Sequence, residues 1–277
     1  MHGLGLLSAF LAIAASASEL RPESLRAWDQ YVALTGSRIE SELEGESKFL
    51  LLDFLDPSDR ARCEERIAKG EICILERKTR SEEGKPIEAP GVLIHHWYGV
   101  ISLPGVDLGS VLSWVKTYEG REKFYPDVEA SRLIEQNGES YRVFLRLKRT
   151  KIQTVHYNTE HEVTYSRHGE KRASSRSVAT RIRQIDEAGS AKERELPPDE
   201  DSGYLFRLQS YWRFQEREGG TFVECESLSL SRDAPPATEW LVRRFIESVP
   251  RESLENALEP IREHVKPIRR DRSEPKR

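Results

Sequence analysis

The sequence predicts an α+β fold in which an antiparallel sheet with one buried side is preceded by helices and short strands and followed by amphipathic helix. Three observations carry this. Beyond Pro126 the chain alternates apolar and polar residues with period two, broken by strong hairpin turns; after Pro236 the pattern changes to a helical period; and ahead of both lies a mixed stretch of helix and strand signals. The 277 residues allow one large domain or one domain with an extension. With 37% hydrophobic and 32% charged residues, the chain is neither a polytopic membrane protein, nor collagen-like, nor wholly disordered. Its 43 bases against 47 acids lack the net basic footprint of a nucleic-acid binder.

The first segment reads as an address. Leu4 to Ala15 is apolar or small, no acid or base precedes Glu19, and Ala15-Ser16-Ala17 has the small-x-small pattern of a cleavage site. Residues 1–17 are therefore expected to be a signal peptide, leaving an exported chain, periplasmic or extracellular, with no transmembrane segment. Cys63 and Cys73 can pair where a helix folds back on a strand, and Cys225, on an alternating strand, reads as a small buried hydrophobe. No cysteine spacing fits a zinc site, and no metal or cofactor is expected.

From there the elements follow in order. Ser24 to Glu44 is helical, with Leu25, Trp28, Tyr31, Val32 and Ile39 on one face. Phe49–Phe54 reads as a short strand. Asp56-Pro57-Ser58 opens a helix that Gly70 stops, and Ile72–Leu75 is a strand. Leu93–Leu103 is a long strand ended by Pro104-Gly105, and Val106–Tyr118 is a helix. Three hairpins then set the faces. A two-residue turn at Asn137-Gly138 pairs Arg132 with Val143 and puts Tyr141 and Leu145 on the same side. A turn at His168-Gly169 pairs Tyr157 with Thr180, Thr159 with Val178 and His161 with Arg176. A turn at Glu218-Gly219 puts Phe206, Ser210, Trp212 and Phe214 with Val223 and Cys225, and on the other face pairs Arg213 with Glu224 and Tyr211 with Glu226. All three agree on one apolar and one charged face. Two helical segments follow, about 237–248 and 250–264, divided or kinked at Pro250.

This order resembles the helix-grip fold of the START-like (SRPBCC, Bet v 1-like) superfamily, near its polyketide cyclase and coenzyme Q-binding branches. The matching phrases are Leu93-Ile94-His95-His96-Trp97-Tyr98-Gly99, Phe124-Tyr125-Pro126-Asp127-Val128, Ser131-Arg132-Leu133-Ile134, Gly219-Gly220-Thr221-Phe222-Val223-Glu224, Pro235-Pro236 and Val249-Pro250-Arg251-Glu252-Ser253-Leu254. The resemblance implies a curved sheet wrapped around the long C-terminal helix over residues 91–265, with 18–90 as an N-terminal extension and 266–277 as a basic tail. It further implies a tunnel between sheet and helix for a lipid or another hydrophobic small molecule, and contact with a membrane surface during transfer.

The face assignments nominate the pocket lining: Arg132, Tyr141, Tyr157, His161, Arg176, Val178, Phe206, Ser210, Trp212 and Cys225. His161 opposite Arg176 would hold a polar head or carboxylate, because inward charges are uncommon on an apolar face. His95 and His96 are adjacent on a strand and point to opposite faces, one buried and one exposed, so they cannot easily share a metal. The acids at 186–187 and 199–201 fall in a loop and read as solvated charge. No nucleophile elbow, phosphate loop or HExxH helix is present, and no catalytic residue is assigned. A binding protein is thus expected. Its rivals are a cyclase or dehydratase using His161 with Tyr157, and an interaction module with a filled core.

Overall fold

The computed structural model describes residues 20–150, 154–233 and 239–267, with backbone only over 239–247. The expected signal at 1–17, the side chains of Leu241 and Phe245, and most of the basic tail lie outside the described residues.

The helices form where the sequence supplies caps and faces. The first, α1 (Pro22–Leu43), buries Trp28, Tyr31 and Ile39 along one stripe. In α2 (Pro57–Ala68) the Asp56 carboxylate accepts from the N–H groups of Ser58 and Asp59, and Gly70 ends the run at φ +71°. Asp107 caps α3 (Leu108–Val115) through the Ser110 N–H at 2.9 Å. Finally, α4 (Glu239–His264) contains Pro250 and Pro260 and is one helix rather than two segments.

The strands are β1 (Cys73–Glu76), β2 (Val92–Pro104), β3 (Val128–Asn137), β4 (Ser140–Thr150), β5 (Thr154–Arg167), β6 (Arg172–Asp186), β7 (Arg194–Glu195), β8 (Arg207–Arg217) and β9 (Gly220–Arg232). They join in one curved antiparallel sheet in the order β1-β2-β9-β8-β6-β5-β4-β3, with β7 against β6. Leu254, Leu258 and Ile261 of α4, with Leu108, Val111 and Leu112 of α3, close on its inner face against Ile101, Leu103, Val143, Val163, Phe214 and Val223. This is the helix-grip arrangement. Gly99 permits it, since a Cβ there would stand 2.5 Å from Leu258 Cδ1 and 3.2 Å from Leu254.

Several expectations are corrected. Phe49–Phe54 is not a strand: Phe49 to Leu52 are all buried, and Leu51–Asp53 is one 3-10 turn. Carboxylates take the N–H groups a ladder would have used. Asp53 accepts from Phe49 and Leu50 at 3.2 and 3.1 Å, and Glu224 accepts from Leu51 and Leu52 at 2.7 and 2.9 Å. The first hairpin turns at Gly138-Glu139, pairing Gln136 with Tyr141, and a bulge at Ile134 then shifts the register so that Leu133 meets Val143 and Arg132 meets Phe144. In the second, Arg167 pairs with Ala173, so the loop spans 168–172 rather than two residues. His161 therefore faces Ala179, and Arg176 faces Thr164. The third hairpin has the expected register: Trp212 with Cys225, Arg213 with Glu224 and Tyr211 with Glu226.

Nor is the second face open. Across β2, β8 and β9 it is covered by α1 and the segment before α2, which bury Tyr98, Val100, Leu228 and Leu230. His95 and His96 do point to opposite faces, yet both are buried for this reason. Cys63 and Cys73 form a disulfide that ties α2 to β1.

Candidate functional site

Seen from inside the grip, the sheet is unevenly filled. Toward α3, Phe214, Val223, Val143 and Leu258 are sealed. Farther along, a row of neighbouring positions crosses three strands as Ser177, Ser210 and Ser227, flanked by Val163 on β5 and Trp97 on β2. The next rows add Ser175, Trp212 and Ala179. Trp97, Leu145, Ser177, Ala179, Ser210, Trp212 and Ser227 are half-buried although they lie on the concave side. The concave side thus carries an apolar and hydroxyl-bearing floor that the described residues leave half-buried, the chemistry suited to a small apolar ligand.

Of the nominated lining, Tyr141, Tyr157, His161, Ser210, Trp212 and Cys225 do face inward. Trp212 Nε1 donates to Ser210 Oγ at 3.1 Å, which fixes the indole beside the serine row. Tyr141 packs against Tyr118 and Tyr165 in the sealed end, and Cys225 is buried core. Tyr157 is buried on the inner side of β5, where its hydroxyl makes no hydrogen bond among the described residues. Burial pushes that phenol up, against the pull of the nearby Ser202 hydroxyl.

The other four are corrected. The bulge at Ile134 turns Arg132 outward, where it is exposed over the Phe144 ring at 4.3 Å. The longer second loop turns Arg176 and Val178 outward as well, and Arg176 lies 5.9 Å from the Tyr211 ring. Phe206 precedes β8 and packs with Trp28, Tyr31, Leu228 and Leu230 beneath α1. His161 and Arg176 therefore do not form a joint anion site.

What His161 has instead is Thr159. Its Nε2 lies 2.9 Å from Thr159 Oγ1, and that hydroxyl donates to the Leu145 carbonyl at 3.0 Å. Burial, helped by the nearby Arg121 guanidinium, lowers the His161 pKa to about 4. Arg121 itself is held on the α3 side: its Nε and Nη2 donate to the carbonyls of Thr117 and Val115, and it covers the Tyr118 ring at 4.5 Å. His95, at the far end of the inner face, bonds Ser231 Oγ at 2.9 Å, and burial takes it to about 4 too.

A second concentration of titratable groups, which the sequence reading did not foresee, lies on the outer face under α1. Glu226 accepts from His96 Nε2 at 3.2 Å, from Arg213 at 3.3 Å and from Arg38. Arg213 also donates to Glu42 and to the Phe49 carbonyl. Burial raises Glu226, but His96, Arg38 and Arg213 outweigh it and hold the group at about 2. Glu224 accepts from Tyr98 and from the two N–H groups before α2, yet burial prevails and brings it to about 7. Burial holds His96 below its ordinary value, so the neutral ring gives its Nε2 proton to the ionised Glu226 and its Nδ1 accepts from Tyr31 Oη at 3.2 Å, while Tyr31 Oη accepts from the Thr79 N–H at 2.8 Å. Every member has a structural partner. The cluster fastens the extension to the sheet.

Among the described residues, no group of three or more His, Cys, Asp or Glu side chains could hold a metal ion, and no helix is long and apolar enough to cross a membrane.

No known protein-family model matches the chain. Nor does any curated protein. Solved structures do. A STAR-related lipid transfer protein of Xanthomonas axonopodis is 16% identical over 69% of this chain and 98% of its own, with a TM-score of 0.45. Human STARD10 is 12% identical over 80% of this chain and 84% of its own, with a TM-score of 0.42. Zhui aromatase/cyclase from Streptomyces sp. R1128 is 11% identical over 61% of this chain and 92% of its own, with a TM-score of 0.40.

Proposed function

We propose that the chain is an exported protein that binds a lipid or other hydrophobic small molecule between the sheet and α4. The similar structures carry names from both lipid transfer and cyclisation, so the choice between binding and catalysis falls to the geometry. One observation supports the binding reading above the others: the row Ser177, Ser210 and Ser227, left half-buried between Trp97 and Trp212 on the concave side. A module built for packing alone would fill those positions with larger side chains. Against the cyclase or dehydratase rival weighs the engagement of His161 Nε2 by Thr159, which stands between it and Tyr157 on the same face of β5. The ligand would be held by burial, at about 25 cal/mol for each Å² of apolar surface removed from water.

Export is supported by the apolar segment before Ala17 and by the Cys63–Cys73 disulfide, which persists in an oxidising compartment. Exposed Phe124, stacked at its edge on Trp114 and His264 and followed by no acid before Asp127, is where contact with a membrane surface would fall. Native mass spectrometry of protein gently purified from the exported fraction tests this reading. A discrete small-molecule adduct that extracts into organic solvent is expected, on a chain whose N-terminus lies near Ser18. Protein that emerges empty and takes up nothing from a total-lipid extract contradicts it.

A further inference from the structure

The corner where α3 and α4 end is equipped to select one kind of bilayer, an inference that deepens the membrane contact in the reading above and rests on it. Three rings meet there at the surface. His264 lies nearly parallel to Trp114, with centroids 5.7 Å apart and planes at 19°, and Phe124 meets both rings at 61°, with centroids 4.9 and 5.0 Å away. Trp114 Nε1 donates to Tyr125 Oη at 3.3 Å, which fixes the indole that backs the other two. Phe124 is 40% exposed, and His264 is exposed beside it. An aromatic side chain already held in place loses little freedom when it enters an interface.

Charge decides which bilayer. The exposed lysines Lys123 and Lys266 flank the rings, and the exposed acids Glu122 and Glu263 balance them, so any excess comes from the chain that follows. Residues 266–277 hold six bases and two acids, a net +4 in a chain of net −4, which leaves −8 on everything else. This segment starts at the same corner. The Pro267 ring packs by Gly105, just ahead of α3, where an added Cβ would stand 3.3 Å from Pro267 Cγ. An anionic surface attracts the basic segment and repels the remainder, so it turns this corner and its rings inward. A neutral surface exerts no such torque. We infer that the Trp114–His264–Phe124 corner and the basic segment 266–277 dock together on a bilayer rich in anionic lipid, the bases meeting the headgroups while Phe124 enters the interface.

The test floats the disulfide-intact chain, purified from the exported fraction, with vesicles of phosphatidylcholine alone or with about 30% phosphatidylglycerol. Wild type is expected to bind the anionic vesicles at least tenfold more tightly at about 0.1 M salt, a preference that falls within about threefold at about 0.5 M. Deleting 268–277 should bring the two vesicle types within about threefold of each other at low salt. Phe124→Ser should weaken binding to the anionic vesicles at least threefold and keep the salt dependence. Removing two exposed lysines from the loop beside α1, Lys78→Ala/Lys85→Ala, should change binding less than about twofold. Equal binding of wild type to both compositions, a preference that survives the deletion, a Phe124→Ser variant that binds like wild type, or no vesicle binding at all would each overturn the inference. Should Phe124→Ser melt early, quenching by brominated lipid decides independently: wild-type tryptophan fluorescence should be quenched on anionic vesicles, and most of that quenching should vanish in Trp114→Phe. Quenching that persists there contradicts docking at this corner. A chain that takes up lipid but ignores anionic vesicles overturns this inference alone, whereas one that docks yet always emerges empty overturns the binding reading.

Discussion

Buried histidines give this protein a defined acid response. His95 and His161 titrate near 4 when folded and near 6.5 when unfolded, so between those values the unfolded chain binds more protons and acidification favours it. Glu224 works the other way: its folded pKa of about 7 lies above the unfolded value of 4.5, so the folded chain gains stability as pH falls across that window. Two histidines outweigh one glutamate. The urea midpoint is expected to fall from pH 7 to pH 4.5, and to fall further in Glu224→Gln, where the opposing contribution is gone; a midpoint that rises or stays level contradicts these protonation states. On the same face, Arg213→Met removes one of the two guanidiniums, Arg213 and Arg38, that Glu226 and Glu42 share, and should cost about 3–5 kcal/mol in chemical denaturation. A loss below 1 kcal/mol would mean that Arg38 and His96 suffice.

At the scale of elements, close approach and covalent closure hold the grip. Gly99→Ala pushes a methyl into the fully buried Leu258 and should cost about 1–3 kcal/mol, read as a lower melting temperature. Cys73→Ser releases α2 from β1 and should cost about 2–4 kcal/mol; unchanged stability would show that the helix is held by packing alone. These elements were largely legible, because helix periods, Pro and Gly punctuation and strand alternation are local signals. Register was legible only where the turn was the expected length. Glu218-Gly219 is a two-residue turn, so Ser210, Trp212 and Cys225 were placed on the right face. The bulge at Ile134 and the longer loop at 168–172 each change the pairing parity, and Arg132, Arg176 and Val178 went to the wrong face with them. Phe206 was misplaced for another reason: it lies ahead of its strand, where alternation no longer applies. The outer ionic cluster escaped notice because Arg38, Glu42, His96, Arg213 and Glu226 are joined by tertiary packing, while along the chain Arg213–Glu224 looked like an exposed cross-strand pair.

For the whole molecule, the two faces of one sheet have different tasks. The outer face is fastened to the N-terminal helices by buried charge, which frees the inner face from carrying all of the packing. The inner face is closed at the α3 end and left half-buried over the serine row. Filling that space separates stability from binding, since Ser177 and Ser227 are inward, half-buried neighbours of Ser210. The most direct measurement is therefore uptake from a radiolabelled total-lipid extract by delipidated wild type and by the double variant Ser177→Leu/Ser227→Leu, alongside their melting temperatures. The proposed binding site predicts saturable uptake by wild type and at least a tenfold loss in the variant, with a melting temperature equal or higher. Uptake that survives the filled floor, or a variant that unfolds because the space was never empty, would contradict it.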